Sequence, residues 1–514
     1  MSQTRRDFIK FVVAGSVTAG CPIDSTLVVA APQGSPPPRI DGEHNEICHQ
    51  LRDGHIFGGP APTREVAIIL IGGGVAGLSA AYFLRGQDFL LLEKEDHFGG
   101  NAFQEEFEGQ PFATGSAFAY RNDYGDQLSA ELGLKLLPVN NPDPTIIKQT
   151  FVADTWKSGI DHLPYTKDVR ESFRKFRDDV MKIKIRERMA ELDSEAFTKY
   201  TAGYAPEIQQ WWDGYGPSNW GATTQDTSAF IGIASMQDMA SGGEDQRVIL
   251  PGGLGCITHK LVEVLAPQYR ERLLGNTAVV AVVPEKEKVR VTYYRDGKLT
   301  TVAAKAVICC APKLIASRLL SNLPAEQKSA MRRTRYAPYP VVNVIFDKPV
   351  YSRGYDTWCP GVAFTDFIVA DWTVRNIPGY RQKHNILTFY TPLRENQRFS
   401  LLDEKNCKAL AARVLADFQK LLPEFAANPL EVRLYRRGHP MFMAVPGQFT
   451  RNRVVAAQPM DRVFFGNADS GGPESLTSES IRLSKAAAEW SAQVLSGNPK
   501  AKAVAQKALA SVSE

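Results

Sequence analysis

The sequence lacks several features that would assign it to common classes of protein. None of its seven cysteines stands in a CxxC, CxxCH or zinc-ligand spacing, which disfavours a structural zinc and a covalent c-type haem. It has no long basic block and a net charge of only +4, so nucleic acid is not an expected partner. No internal apolar run is long enough to cross a membrane. The chain has 514 residues, enough for about two or three domains with substantial cores.

The strongest motif is a glycine-rich turn between a strand and a helix. Residues 66–71 form a continuous apolar run, as expected for a strand buried on both faces. Gly72, Gly74 and Gly77 follow with dinucleotide-binding spacing. The first reverses the backbone, the second lets it approach a pyrophosphate, and the third lets the next helix pack closely. Residues 78–84 continue as that helix, and its N-terminal amides would face the phosphates.

A second apolar strand, residues 89–92, ends in Glu93, about twenty residues past the first glycine. A carboxylate in this place can accept both hydroxyls of an adenosine ribose, and it would repel a 2′-phosphorylated cofactor. Strand, glycines, helix, second strand and acid occur in the required order. The motif therefore predicts a bound dinucleotide, and a glycine-rich turn that binds nothing is the disfavoured alternative.

The N-terminus is predicted to be an export signal that sends the protein to the periplasm. Residues 4–10 (TRRDFIK) match the twin-arginine motif, and a short, weakly apolar segment follows. An amphipathic helix with two chance arginines is the alternative. Residues 19–21 (AGC) resemble the end of a lipoprotein processing site, but Thr18 stands where an aliphatic residue is usual. Residues 29–31 (VAA) form a competing cleavage site, so a lipid anchor at Cys21 is the less favoured outcome.

Beyond Glu93, the sequence resembles the superfamily of flavin amine oxidases, protoporphyrinogen oxidases and phytoene desaturases. Its members have a Gly-Gly turn after the acid that passes beside the flavin, and Gly99 and Gly100 match that turn. The resemblance therefore implies FAD as the cofactor. Many members have arginine where this chain has Asn101, so an ionic contact from that position is not expected.

Two later segments resemble the same superfamily. Its members use a PGG turn, a helix and a strand for backbone contacts to adenine, and residues 251–253 and Val279 match them. Residues 463–472 (VFFGNADSGG) match the C-terminal flavin motif, in which an acid, here Asp469, contacts the ribityl-phosphate region.

A helix is predicted over residues 475–490, with Ser475 or Thr477 as its N-cap. In the superfamily the N-terminus of this helix faces the flavin pyrimidine. The helix dipole would stabilise negative charge there and favour the reduced anionic flavin.

These motifs predict an α/β fold, with a discontinuous Rossmann-like FAD-binding domain of the amine-oxidase type and an interleaved α+β substrate domain. The predicted segments are a twin-arginine signal peptide (1–31), a linker and N-terminal helix (32–63), the FAD-binding domain (64–116, 248–320 and 435–495), the substrate domain (117–247 and 321–434) and a C-terminal tail (496–514). The predicted FAD-binding residues are Gly72, Gly74, Val75, Ala76, Gly77, Glu93, Lys94, Gly99, Gly100, Asn101, Val279, Gly466, Asp469 and Thr477.

Within the superfamily, the sequence is most similar to spermidine dehydrogenase-like flavoproteins. The similarity rests on residues 51–54 (LRDG), 72–83 (GGGVAGLSAAYF), 96–102 (DHFGGNA), 340–344 (PVVNV) and 466–472 (GNADSGG). It implies oxidation of an amine CH–NH bond by hydride transfer to flavin N5, with electrons passed to an acceptor that the sequence does not identify. Two alternatives stay open: a desaturase- or protoporphyrinogen-oxidase-like enzyme acting on an apolar substrate, and a non-catalytic flavoprotein subunit. A cavity without carboxylates would favour the apolar substrate.

Few side chains indicate the catalytic groups. His439 precedes the last flavin segment and is the candidate base, with a structural histidine as an equal alternative. Lys313 is not in clear register with the lysine that many amine oxidases place near N5. Asp213 and Glu474 are candidate carboxylates for a cationic amine, or else surface acids.

Two further groups are candidates for a pocket or a ligand site. His49 and His55 could bind haem or a metal, but isolated histidines near a helix end are more often surface residues, so no metal is predicted. A cluster of aromatic residues is expected to be mainly core, with one or two members in a pocket. The cluster comprises Trp211, Trp212, Tyr215 and Trp220.

Overall fold

The computed structural model describes residues 32, 34–140, 143–376, 378–425, 427–498 and 501–510. The predicted signal peptide, with Cys21, lies outside the described residues. The strands are β1 (Arg39–Gly42), β2 (Glu65–Ile71), β3 (Phe89–Leu92), β4 (Gln104–Phe107), β5 (Gln110–Ala113), β6 (Phe118–Tyr120), β7 (Leu137–Pro138), β8 (Pro144–Ile147), β9 (Thr150–Ala153), β10 (Arg247–Ile249), β11 (Leu273–Leu274), β12 (Ala278–Pro284), β13 (Val289–Arg295), β14 (Lys298–Cys309), β15 (Tyr336–Ala337), β16 (Val341–Phe346), β17 (Asp356–Trp358), β18 (Asp366–Val369), β19 (Asn385–Tyr390), β20 (Glu431–Arg436), β21 (Met441–Phe442) and β22 (Val463–Phe465).

The α-helices are α1 (Glu46–Arg52), α2 (Val75–Phe83), α3 (Tyr124–Glu131), α4 (Lys167–Met181), α5 (Ile185–Asp193), α6 (Thr198–Thr201), α7 (Pro206–Trp220), α8 (Ala229–Ser241), α9 (Gly255–Tyr269), α10 (Lys313–Leu319), α11 (Ala325–Arg333), α12 (Glu404–Leu421), α13 (Arg453–Ala456), α14 (Thr477–Leu495) and α15 (Ala501–Ala510). Among the described residues, none of these helices combines the length and the apolar character needed to cross a bilayer.

The first large sheet is a mostly parallel sheet of the Rossmann kind. Its strands follow the order β11–β3–β2–β14–β13–β12, and β22 also pairs with β14. The apolar run of β2 is buried on both faces: Ile68 and Leu70 pack with α2, while Ile69 and Ile71 pack with the opposite cluster that includes residues of α10 and α11. Because helices cover both faces of the sheet, the apolar run of this strand is continuous, and apolar and polar residues do not alternate along it.

Strand β14 differs from its sequence-based prediction. The sequence patterns of residues 300–302 and 307–311 predict two separate strands, but Lys298–Cys309 is one strand. Its first half pairs antiparallel with β13, and its second half pairs parallel with β2 and β22. Because each half has its own partners, the chain does not need to break between them.

The second large sheet is mostly antiparallel, in the order β1–β20–β16–β19–β18–β17–β8–β9. Helix α12 packs on one of its faces, and the other face contacts Phe112 and Ala113 of β5. Edge strand β1 was not predicted, because residues 32–63 were expected to hold only a linker and a helix.

The remaining elements pack around these two sheets. The PGG turn follows β10, which belongs to a separate three-stranded sheet with β6 and β7 and not to the Rossmann-like sheet. The four aromatic residues of the predicted cluster are buried together in one core, and only Trp211 of them lines a second, small cavity. Helix α15 packs on α14 and buries Ala505 completely, so residues 501–510 of the predicted C-terminal tail form a packed helix.

Candidate active site

One cavity, which we call the main cavity, lies at the carboxyl ends of β2, β3 and β14. Helix α2 starts after Gly74, and no side chain caps its first-turn amides. A Cβ on Gly77 would lie 1.8 Å from the carbonyl oxygen of Gly72, so only glycine allows the helix to pack this closely. Val75 and Ala76, in the first turn, line the cavity. This end of α2 therefore presents free N–H groups to the cavity.

Glu93 lies at the end of β3 with its carboxylate buried beside the cavity. Its Oε2 accepts a hydrogen bond from the N–H of Gly73 at 2.5 Å, and its Oε1 accepts one from the N–H of Glu95 at 2.9 Å. Burial raises the pKa of Glu93, and the two hydrogen bonds only partly oppose that effect. Each oxygen keeps a lone pair that a ribose hydroxyl could use. Val279 lines the cavity as well.

The second turn, residues 99–101, lies against the first. A Cβ on Gly100 would lie 3.1 Å from the Cα of the N-cap glycine of α2. Asn101 donates from Nδ2 to the carbonyl of Pro440 at 2.8 Å. Buried Arg437, which the sequence analysis did not select, donates to the carbonyl of Gly100 at 3.2 Å. The structure thus brings an arginine to the turn from a distant segment.

Helix α14 turns its first residues toward the same cavity. The predicted N-cap, Ser475 or Thr477, is wrong: the N-cap is Leu476, in an extended conformation (φ −84°, ψ 145°), and no side chain caps the helix. An apolar N-cap leaves the first-turn amides without protein acceptors. Because Leu476 and Thr477 line the cavity, these amides can bind an acceptor placed there.

Asp469 forms part of the cavity wall, but protein groups hold its carboxylate. Oδ1 accepts from Lys313 Nζ at 2.6 Å, and Oδ2 accepts from the Lys313 N–H at 2.8 Å and the Tyr336 hydroxyl at 2.5 Å. Lys313 is completely buried. Burial and the charge of Asp469 hold the pKa of Tyr336 well above its usual range, so this hydroxyl remains a donor. The sequence did not indicate that these three residues meet.

His439 is half-buried and lines the main cavity. Its ring centroid lies 6.4 Å from that of Tyr336. Burial lowers the pKa of His439 to about 4, and the positive charge of Arg398 acts in the same direction. At pH 7 the imidazole is therefore neutral, which is the form that a base requires, although it is weakly basic.

Glu474 is half-buried and directly precedes Ser475, which lines the cavity. Within the described part of the chain, its carboxylate makes no hydrogen bond or ion pair. Burial raises the pKa of Glu474 to about 7, and the negative charge of Asp238 adds to the effect. This carboxylate is therefore free to bind a cation near the start of α14.

The remaining candidate residues are bonded to protein groups, lie on the surface, or are not part of the cavity lining. Asp213 accepts hydrogen bonds from the backbone and the hydroxyl of Thr224, so it stabilises a loop. His55 is exposed and packs edge-on against Phe57. Gly466 packs against the side chain of Ile308 and is not among the residues that line the cavity. Across the described ranges, no group of three or more His, Cys, Asp or Glu side chains could hold a metal ion.

The N-terminal segment contributes to the main cavity, which the sequence analysis did not foresee. Lys94, predicted as a cofactor contact, lines the cavity but uses its ammonium to bind Glu95 and the carbonyl of His44. No nucleotide-binding pattern marks this segment in the sequence. Its cavity-lining residues are Asp41, Gly42, Glu43, Asn45 and Cys48.

The cavity has the features that FAD requires. The free amides of α2 would hold a pyrophosphate, the open lone pairs of Glu93 an adenosine ribose, and the uncapped start of α14 the flavin pyrimidine. A Cβ on Gly74 would meet nothing closer than 3.7 Å, so the space above it is open to a ligand.

Comparisons with known proteins agree with this assignment. The sequence profile of the family described as flavin containing amine oxidoreductase matches residues 75–489. A curated relative, Oxidoreductase PigB of Serratia sp. (strain ATCC 39006), is 24% identical over an alignment of 287 residues that covers 52% of this chain and 42% of that protein. The match thus spans less than half the length of that relative.

Solved structures show the same fold. A putrescine oxidase variant with a redesigned cofactor site has a TM-score of 0.67 at 16% identity, covering 85% of this chain and 100% of that one. Cyclohexylamine oxidase from Brevibacterium oxydans IH-35A gives 0.66 at 16% identity, covering 86% and 99%. A protoporphyrinogen oxidase-like protein from Exiguobacterium sp. 255-15 gives 0.61 at 17% identity, covering 84% and 99%. The predicted fold class is confirmed.

Proposed function

Because the chain belongs to the flavin-containing amine oxidoreductase family, we propose that it oxidises a C–N bond of an amine or polyamine. It is an FAD-dependent oxidoreductase, and FAD is its cofactor. When bound, FAD supplies the acceptor for the hydride that leaves the substrate carbon. Membership of this family disfavours the alternative of a non-catalytic flavoprotein subunit.

The family match over residues 75–489 is the observation that carries the choice of an amine, and the acids of the main cavity serve mainly the cofactor and ion pairs. The cavity lining has two permanently cationic side chains, Lys94 and Arg437, against six carboxylates. Three of these acids are held in ion pairs: Asp469 with Lys313, Glu95 with Lys94, and Glu105 with Arg39 and Arg433, so the lining has little unpaired negative charge. Because Glu93 is assigned to the cofactor and three other acids are paired, the titration described below has to separate an amine from an apolar substrate. The six acids are Asp41, Glu43, Glu93, Glu95, Glu105 and Asp469.

Two buried tyrosines, Tyr339 and Tyr390, lie near the residues that line the main cavity but are not part of its lining. The hydroxyl of Tyr390 donates to the carbonyl of Gly115 at 2.9 Å, immediately before cavity-lining Ser116. The ring of Tyr339 lies 5.8 Å from that of Tyr390, at 69°. Asp366 is opposite Tyr390 on the neighbouring strand, and burial raises the pKa of Asp366 to about 7. Aromatic rings with a nearby carboxylate are suited to organic ammonium groups.

Two side chains have distinct tasks in the proposed reaction. The substrate enters as an ammonium ion and must lose a proton before its nitrogen lone pair can assist hydride loss. Glu474, free of protein partners in the described ranges, would hold the ammonium, and neutral His439, which is too weak a base to deprotonate it, would accept a hydrogen bond from the neutral amine. The half-burial of both side chains reduces competition from water.

The direct test is an anaerobic titration of the purified holoenzyme with polyamines and monoamines, followed by flavin absorbance. We expect at least one amine to bleach the oxidised flavin. Admission of oxygen, or of a quinone without oxygen, to the reduced enzyme then identifies the class of electron acceptor. A flavin that stays oxidised with every amine, but is bleached by an uncharged apolar substrate, would overturn the proposal.

Replacing Glu474 by glutamine should raise KM for a cationic amine by about tenfold, with a smaller change in kcat, because one charge-assisted contact to the ammonium is lost. The pKa of about 7 adds a pH signature. Below that pH the carboxyl is protonated and neutral, and above it the carboxylate attracts the substrate. In the wild type, kcat/KM should therefore rise as the pH increases through about 7, and Glu474→Gln should lack that inflection.

Initial rates measured across this pH range check the prediction. Glu489→Gln is the matched control, because Glu489 is exposed on the same helix. An unchanged KM and a retained inflection in Glu474→Gln would assign the ammonium to another group.

We also propose that the enzyme is exported by the twin-arginine route, which carries folded proteins and would allow FAD to bind first. The support is the motif at residues 4–10. Replacement of Arg5 and Arg6 by lysine should keep the enzyme in the cytoplasmic fraction. An unchanged distribution between cytoplasm and periplasm would refute the export proposal.

A further inference from the structure

Residues 39–52 form a segment that we call the N-terminal strap. This segment lies before the family-matched region, which begins at residue 75. All five cavity-lining residues of the N-terminal segment belong to it. The strap therefore lies outside the matched residues, and it lines the cavity where the cofactor binds.

The first end of the strap is fixed to the second large sheet. Strand β1 pairs in parallel with β20 at the sheet edge. Gly42 has φ +131°, and a Cβ there would lie 2.2 Å from the carbonyl oxygen of Arg436, so the backbones touch. The N–H of Glu43 donates to that carbonyl at 3.2 Å, and Glu43 Oε2 accepts from the N–H of Gly438 at 3.1 Å.

The middle of the strap lies beside the ribose-binding acid. His44 donates its N–H to Glu95 Oε1 at 3.1 Å, and its ring Nδ1 lies 2.7 Å from Glu95 Oε2. Lys94 Nζ donates to the carbonyl of His44 at 3.2 Å. Lys94 and Glu95 directly follow Glu93, so these bonds fix the strap next to the end of β3. Lys94 and Arg437 also lower the pKa of Glu43 against the opposing effect of burial, which keeps this carboxylate charged.

The second end of the strap is fixed to the Rossmann-like sheet. Helix α1 packs on α10 and β12, and Leu51 packs against the cluster formed there. These elements supply Ile315, Leu319 and Val279 to the main cavity, and Cys48 faces the same cavity from α1. The strap thus crosses the cavity from one large sheet to the other.

From this arrangement, we propose that the N-terminal strap is a cofactor-binding element that retains FAD by covering the adenosine part of the main cavity. FAD then dissociates only when the contacts of Glu43 and His44 open. This retention of FAD by the strap does not depend on which substrate the enzyme oxidises.

The test is the rate of FAD dissociation from the holoenzyme, measured by the fluorescence of released FAD after dilution. Gly42→Val should displace the strap from β20, and Glu43→Ala should remove its bond to Gly438. Each should speed FAD release by about tenfold, the effect of losing one or two buried polar contacts. Gly58→Ala is the control, because that glycine is exposed and a Cβ there meets no atom within 4 Å.

Limited proteolysis provides a second readout without enzyme turnover. The strap should resist cleavage in the holoenzyme and be cut within residues 39–52 once FAD has been removed. If Gly42→Val does not fold, Glu43→Ala and His44→Ala still test the proposal. Wild-type release rates in these variants, or equal cleavage with and without FAD, would overturn it.

Discussion

Gly74→Val should abolish FAD binding and leave the fold intact. A Cβ on Gly74 would meet no atom closer than the Cα of Gly100, at 3.7 Å, so the protein itself has room for it. That room is the space above the free amides of α2, which the FAD pyrophosphate requires. A valine there would overlap the ligand, and we expect FAD affinity to fall by about a hundredfold or more. FAD titration followed by flavin fluorescence quenching measures the loss.

Gly77, in the same glycine-rich turn, provides a contrasting substitution that makes the prediction for Gly74 specific. Gly77→Ala should destabilise the protein even without FAD, because its Cβ would lie 1.8 Å from the Gly72 carbonyl oxygen. Thermal unfolding of the FAD-free proteins separates the two effects. We expect Gly74→Val to unfold near the FAD-free wild type and Gly77→Ala to unfold at a lower temperature. Normal FAD binding by Gly74→Val would refute the assignment of this turn to the pyrophosphate.

Lys313→Met should lower the free energy of unfolding by about 3–5 kcal/mol, the typical loss when one partner of a buried ion pair is removed. The side chains of Lys313 and Asp469 are 0% and 1% exposed, so water cannot replace the lost ammonium. The Asp469 carboxylate would keep its bonds to the residue 313 N–H and the Tyr336 hydroxyl, but its charge would be unpaired. Urea unfolding of the FAD-free protein measures the change.

A second substitution checks the cause. In Lys313→Met with Asp469→Asn, the side-chain carbonyl can still accept a hydrogen bond, and no buried charge remains. The double variant should therefore recover most of the lost stability, giving a large coupling energy between the two sites. If the two effects simply add, or if Lys313→Met is as stable as the wild type, the buried charge is not what stabilises this wall of the cavity.

The parts of the site that the sequence predicted best are local in the chain. A buried strand, a tight glycine turn, a helix start and an acid occupy residues 65–93, and each depends on backbone conformation or burial that neighbouring residues specify. The N-cap of α14 was predicted wrongly, although an N-cap is also specified by residues that are neighbours in the chain. A serine or threonine N-cap is only a preference, and Leu476 takes that position instead.

The sequence by itself determined the Rossmann-like βαβ unit, because that unit follows from a short pattern with fixed spacing, and its resemblance to the flavin amine oxidase superfamily implied FAD. Only the tertiary structure placed Arg437 at the turn of Gly100, joined Lys313 to Asp469, and laid the N-terminal strap across the cavity. These contacts join residues far apart in the chain, and they depend on how the two large sheets pack and on which strand occupies each edge. No local pattern encodes that arrangement, since burial and charge pairing at these positions arise only when the distant segments meet.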